Sequence, residues 1–313
     1  MKRISYLLRH RFGIGASGAG RDVIVSTCSG NPFIPVLVYS IIAAGGVYSG
    51  APTGFTVTEL VRQVQDADAK ILLCSPECLE TTVAAAKQCC IPLDHVLTID
   101  CKRPRDWQLI LVNDQSRILD LKSGPMLEWS RMTSLVEQER TTACLLYSSG
   151  TTGLPKGVRI SHRNLIASTV CGMQLAKKYM KEQDAHESPF IFSKIAHLPM
   201  AHIGGVTWSS LYPFCWGGTA FWVEKYDFKS FIKYHRQYRL TTLWTVPPIW
   251  LSIANSLEVT DHFDTVRIAI TGAAPMGPEL TGRAARRLGK GTVSSLNSLW
   301  GKPNSCSSLR EYS

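Results

Sequence analysis

Short β-rich apolar runs alternate with longer segments of helical spacing, and that alternation is the strongest constraint on how this chain folds. Residues 70–74, 95–100, 143–148, 219–224, 241–246 and 266–271 read as strands, the fifth stopped by Pro247 and Pro248. Residues 59–66, 80–88, 162–178 and 278–288 read as helices, with Ser161 as an N-cap for the third. Asp227 can cap another helix, whose Phe228, Phe231, Ile232 and His235 share one face. Strands alternating with helices predict an α/β fold layered around a mostly parallel sheet. Polar and charged residues break the rhythm across 101–139, where a linker and a subdomain boundary are expected.

The chain has 313 residues, 45% apolar and 19% charged, enough to bury a core as one large or two ordinary domains. The apolar stretch 33–47 contains Pro35, Ser40, Gly45 and Gly46 and is shorter than the ~18–20 residues of a bilayer span. It is expected to be a buried element. No secretory signal follows Met1-Lys2-Arg3, and no targeting tripeptide closes the sequence. An intracellular protein without a membrane span is expected, cytoplasmic or, for an intact relative, peroxisomal. The ten cysteines form no CxxC pair, which points to reduced thiols and neither a disulfide framework nor a metal site.

A net charge of +10 raises nucleic-acid binding as an option. Its location argues against one. Lys2, Arg3, Arg9, Arg11 and Arg21 face only Asp22 in the first thirty residues, and Arg283, Arg286, Arg287, Lys290, Lys302 and Arg310 face only Glu311 after residue 280. Neither end carries the aromatic platforms on which bases stack. The excess at both termini instead suggests ends that lack their usual context.

After the strand at 143–148 comes Tyr147-Ser148-Ser149-Gly150-Thr151-Thr152-Gly153-Leu154-Pro155-Lys156-Gly157. Glycines let backbone N–H groups approach an anion closely, hydroxyls add donors, and Lys156 supplies a mobile positive charge. That set suits a polyphosphate; taken alone, it also fits an ordinary surface turn. It is not the common P-loop, which requires Lys-Ser/Thr directly after its second glycine. Here Pro155 stands where that glycine would be, and Val158 follows Lys156-Gly157.

These eleven residues resemble the phosphate-binding signature of the adenylate-forming superfamily, which includes acyl-CoA synthetases and luciferases. Leu198-Pro199-Met200-Ala201-His202-Ile203 is similar to its second core motif, and Thr271-Gly272-Ala273-Ala274-Pro275-Met276-Gly277 to its adenine-side motif. Residues 31–53 and 59–66 also resemble its N-terminal lobe. Within the superfamily the likeness is to 4-coumarate–CoA ligase-like enzymes, over about residues 20–301.

The resemblance implies a ligase that joins a carboxylate to the α-phosphorus of ATP, releases pyrophosphate, and then transfers the acyl group to coenzyme A, with Mg²⁺ as the metal. Ser148, Ser149, Gly150, Thr151, Thr152, Gly153 and Lys156 would hold the phosphates. Gly272, Ala273 and Ala274 would lie against the purine, and Trp300 would stack near it; core packing is the other role for Trp300. His202, with Lys156 the expected catalytic residue, would sit between the acyl pocket and the nucleotide. Ala201 and Gly204 stand where the family often has aromatic residues, so a larger acyl pocket is expected, with Gly204 in its wall. The acid would be aromatic or a medium or long fatty acid.

The family pattern stops at Lys302-Pro303-Asn304, where a Thr-Glu pair normally contacts phosphate and Mg²⁺. Pro303 lacks an N–H and a hydroxyl, and Asn304 lacks a carboxylate. Three segments are therefore expected. Residues 1–140 form a first α/β subdomain without the family's opening segment, 141–301 a second with the phosphate loop and adenine motif, and 302–313 a tail outside the pattern. The C-terminal lid domain would be absent. An incomplete N-terminal domain of weak or no activity is expected; the alternative is a non-catalytic remnant that binds nucleotide or acyl group.

Overall fold

A computed structural model describes residues 1–101, 106–129, 131–148, 155–182, 190–289 and 292–299. The chain divides into two compact units, Met1–Leu165 with Pro199–Ile203, and Ile166–Leu198 with Gly204–Ser313.

The first unit contains α1 (Lys2–His10), β1 (Val23–Thr27), α2 (Phe33–Ala43), β2 (Val47–Gly50), α3 (Val57–Asp66), β3 (Ala69–Cys74), α4 (Leu79–Gln88) and β4 (Val96–Asp100). It continues with β5 (Gln108–Leu111), β6 (Asp114–Leu119), α5 (Leu135–Arg140), β7 (Thr142–Ser148) and β8 (Lys156–Ser161). Its eight strands form one sheet in the order β6-β5-β4-β3-β1-β2-β7-β8. Neighbours from β4 through β7 pair parallel, and the edges β4–β5, β5–β6 and β7–β8 pair antiparallel. β1 lies between β2 and β3, so the connection from β1 to β2 and the one from β2 back across β1 to β3 run in opposite directions, a reversal of strand order of the kind at which α/β sheets bind ligands.

Local chemistry explains the helices. The apolar stretch at 33–47 is α2, with Phe33, Ile34, Leu37 and Ile41 buried, followed by the first residue of β2. α1 packs on α2 through buried Ile4 and Leu8. Thr56 and Glu59 form a reciprocal capping box on α3, whose Leu60 and Val64 pack with Ala85 and Ala86 of α4 over Val25, Leu72 and Val96.

Two strands lie within the segment expected to be a linker. β5 and β6 extend the sheet there, and β5 buries Leu109 and Leu111 while leaving Gln108 and Ile110 partly exposed. An edge strand with one wet face carries polar residues that imitate a linker. The two units also part later than residue 140, because β7 pairs with β2 and β8 with β7, placing both strands in the first sheet.

The second unit takes most of α6 (His162–Glu182), then β9 (Ser193–Ala196), α7 (Ile203–Val206) apart from its first residue, a π-helical turn (Thr207–Leu211), α8 (Tyr212–Trp216), β10 (Thr219–Trp222) and α9 (Phe228–Gln237). β11 (Thr242–Thr245), α10 (Pro247–Asn255), β12 (Ile268–Gly272), α11 (Pro278–Ala285) and β13 (Val293–Leu299) complete it. β9 pairs with β10, and β12 lies between β11 and β13, all parallel. Ser161 accepts a hydrogen bond from the Asn164 N–H at 3.2 Å, and Asp227 from the Ser230 N–H at 2.8 Å, as N-caps of α6 and α9. Pro247 and Pro248 do more than stop a strand. They occupy the first turn of α10, where a missing N–H costs nothing.

Candidate functional site

In the first unit the loop stems are β7 and β8, and Ser148 lies opposite Lys156 in their antiparallel register. Lys156 is exposed at the start of β8, free to follow a ligand charge. Tyr147 anchors the stem: its hydroxyl donates to Asp66 Oδ2 at 2.6 Å, and burial, followed by the Asp66 carboxylate, raises its pKa. Gly157 leaves room for that ring, since a Cβ there would lie 3.2 Å from Tyr147 Cζ. Ser149, Gly150, Thr151, Thr152 and Gly153 lie outside the described residues, as does Trp300.

The 199–203 segment folds onto the same sheet. Tyr48 Oη donates to the Met200 carbonyl at 3.5 Å. Gly50, the last residue of β2, lies against the Met200 carbonyl, and a Cβ there would come within 2.8 Å of Ala201 Cα. Only glycine permits that approach. His202 is exposed next to this contact, in a turn closed by its N–H on the Pro199 carbonyl at 3.1 Å. β2 and β7 are parallel neighbours, so His202 lies at the carboxyl end of one strand and Ser148 at the carboxyl end of the next.

Gly272, Ala273 and Ala274 belong to the second unit, as does Gly204. Gly272 ends β12, and Ala273 follows with φ of +73°, a left-handed conformation costly for a residue with a Cβ. Thr271 before them is fully buried, and its hydroxyl has no hydrogen-bond partner among the described residues.

Trp208, in the π-helical turn, touches both glycines. A Cβ on Gly272 would lie 3.0 Å from its Cη2, and one on Gly204 3.7 Å from its Cε3. Trp244 meets Trp208 edge-on at 5.5 Å. Lys194 of β9 has its Nζ 6.0 Å from the Trp208 ring centre and 5.8 Å from that of Trp244. Lys194 is 1% exposed, its Nζ has no hydrogen-bond partner among the described residues, and burial lowers its pKa to about 7. His197 bridges the Ile195 carbonyl and Thr245 Oγ1 at 3.1 and 2.9 Å; burial, then the Lys194 charge, hold its pKa at about 3. Sequence reasoning missed Lys194, Trp208 and His197. The available signal was a lysine inside Phe192-Ser193-Lys194-Ile195-Ala196, a run whose other members are apolar except for Ser193.

Among the described residues no three His, Cys, Asp or Glu side chains converge on a cation site, so no step is assigned to Mg²⁺. The nine described cysteines are free, and Cys306 lies outside the described residues. Likewise, no helix is long and apolar enough to cross a membrane. Pro303 and Asn304 lie outside the described residues.

Comparison with known proteins gives a consistent result. An acyl-coenzyme A synthetase by name from Emericella nidulans is 36% identical over 98% of this chain and 54% of its own length. Phenylacetyl-CoA ligase epaB of Aspergillus niger is 29% identical over 78% of this chain and 43% of its own. The chain thus spans about half the length of the curated relatives it matches. Among solved structures, a long-chain-fatty-acid-CoA ligase (FadD1) from Archaeoglobus fulgidus superposes with a TM-score of 0.72 at 19% identity, covering 97% of this chain and 56% of that one. ATP-bound MatB from Rhodopseudomonas palustris gives 0.70 at 23% identity, over 94% of this chain and 52% of that one. The α/β architecture is therefore that of about half of each of these two structures. The AMP-binding enzyme profile matches residues 3–302, and the chain belongs to that family.

Proposed function

We propose that the chain binds ATP and a carboxylic acid, aromatic or fatty, and carries the adenylate-forming half of an acyl-CoA ligase. One observation carries the reading: β7 leads into the hydroxyl- and glycine-rich loop at its carboxyl end, and the turn bearing His202 packs on Gly50, the last residue of the adjacent parallel strand β2. That end of an α/β sheet is where ligands bind.

The chemistry asks for two anions held in line and for charge stabilisation on the departing pyrophosphate. The carboxylate oxygen attacks the α-phosphorus, the α–β phosphoanhydride bond breaks, and pyrophosphate leaves with its electron pair. Ser148, Ser149, Thr151, Thr152 and Lys156 serve as donors and charge for that group, with Gly150 and Gly153 giving the backbone its close approach. His202 lies beside the reacting carboxylate. Gly272, Ala273 and Ala274 take the purine, with Trp300 stacked near it. Coenzyme A is the acceptor that then displaces AMP. The names of two relatives, phenylacetyl-CoA ligase and 4-coumarate–CoA ligase, support the aromatic acid of these two.

ATP titration followed by calorimetry tests this reading, with pyrophosphate exchange measured across a panel of acids. Saturable ATP binding is expected, weakened by Lys156→Ala, and any exchange should fall by about 10²–10³-fold in that variant. A folded chain that takes up no ATP would overturn the proposal.

A further inference from the structure

The basic residues at the start of the chain take no part in the binding elements above, and two of them line a cavity. Arg3, Leu7 and Arg11 recur at four-residue spacing, so they share one face of α1 and its C-cap. That face forms part of the wall of a cavity of about 260 Å³ in the first unit. Residues 118–125 supply much of the rest: Ile118 and Pro125 are apolar, Asp120 and Ser123 polar.

The cavity carries positive charge that the protein does not neutralise by contact. Neither guanidinium makes an ion pair or a side-chain hydrogen bond among the described residues; Arg3 Nε is buried without a partner, and Arg11 lies 5.5 Å from the ring centre of Phe12. Glu128 pairs with Lys2 at 2.7 Å. Asp120 is the one acid in the lining, and its oxygens are engaged by its own turn. Oδ1 accepts from the Lys122 and Ser123 N–H groups at 2.8 and 2.9 Å, and Oδ2 accepts from the Ser123 hydroxyl. The Ser123 hydroxyl and these N–H groups, ahead of the Arg3 charge, lower its pKa to about 2. Two cations therefore face one occupied carboxylate, and a buried guanidinium N–H lacks the acceptor it needs.

We infer that this cavity binds a small organic acid, a carboxylate on an apolar body, at a site separate from the nucleotide and acyl elements. The carboxylate pairs with Arg3 and Arg11, whose planar forks match its two oxygens, and the body lies on Leu7, Ile118 and Pro125. The volume suits one aromatic ring with its acid arm, since a cavity of about 150 Å³ already holds benzene. β6, which ends at the cavity, is one edge of the first sheet, and β7 and β8, the stems of the phosphate loop, form the other.

The test irradiates the unaltered chain with a diazirine-bearing phenylacetate and maps the labelled peptides by mass spectrometry. Label is expected on 1–12 and 118–125, and phenylacetate should compete for it about tenfold better than phenylacetamide or inorganic phosphate. Arg3→Gln combined with Arg11→Gln should cut that label about tenfold, and the paired lysine substitutions should keep part of it. Absence of label on those peptides overturns the inference, as does equal competition by the amide or by phosphate, or label that persists in the glutamine variant. The competition arms use the unaltered chain and decide the matter even where a variant does not fold. None of these outcomes bears on ATP uptake, so the adenylate-forming reading stands or falls separately.

Discussion

Single atoms decide several features of this chain. Gly50 tolerates no Cβ because the Met200 carbonyl and Ala201 Cα occupy that space. Gly50→Val should push the 199–203 segment off the sheet end and cost about 1–3 kcal/mol in a urea melt, as overpacking does. Ala273 presents the opposite case. Its φ of +73° strains a residue with a Cβ, so Ala273→Gly should raise stability by about 0.5–1 kcal/mol in the same assay. Asp22, 1% exposed, pairs with Lys70 and accepts N–H bonds from Gly15 at 2.7 Å and Ser17 at 3.3 Å. Burial raises its pKa, but the Lys70 bond and the other donors outweigh that and leave it lowered. None of these pairings is visible along the sequence, because each joins residues distant in the chain or depends on backbone geometry.

Elements were easier to read than pairings. The caps at Ser161 and Asp227 are local chemistry, a short side chain three residues from an N–H, and both form. Asp227→Ala should cost about 1 kcal/mol by thermal or chemical denaturation, because α9 carries buried Phe231, Ile232 and His235 into the core. Edge elements were harder. β5 and β6 lie where polar residues pointed to a linker, and α1 lies where only charge was noted. A half-wet strand and a basic amphipathic helix both hide their apolar residues among polar ones. The candidate site divides in the same way. The motifs were legible from residue types, whereas Lys194 and Trp208 became notable only through burial and contact.

Across the whole molecule, buried ionisable groups set the response to pH. Burial and the neighbouring charges of His197 and Lys194 hold His235 well below its ordinary pKa, while His197 stands at about 3 and Lys194 at about 7. Each folded pKa is depressed for a base, so the unfolded chain binds protons that the folded one refuses. Stability is then lost as pH falls through the ordinary histidine range, at up to about 1.4 kcal/mol per pH unit for each such proton. Lys194 acts in the same direction between the ordinary lysine value and about 7. The urea midpoint should therefore rise from pH 5 to pH 7.5, and a flat profile would contradict these burials. Sequence alone determined the α/β order, the caps and the family motifs, because periodicity, turn chemistry and short signatures are written in neighbouring residues. Only the tertiary structure decided that Lys194 is desolvated beside two indoles, that Gly50 must lack a side chain, and that β5 and β6 extend a sheet. Burial and close approach are properties of residues far apart in the chain, and they exist only once it has folded.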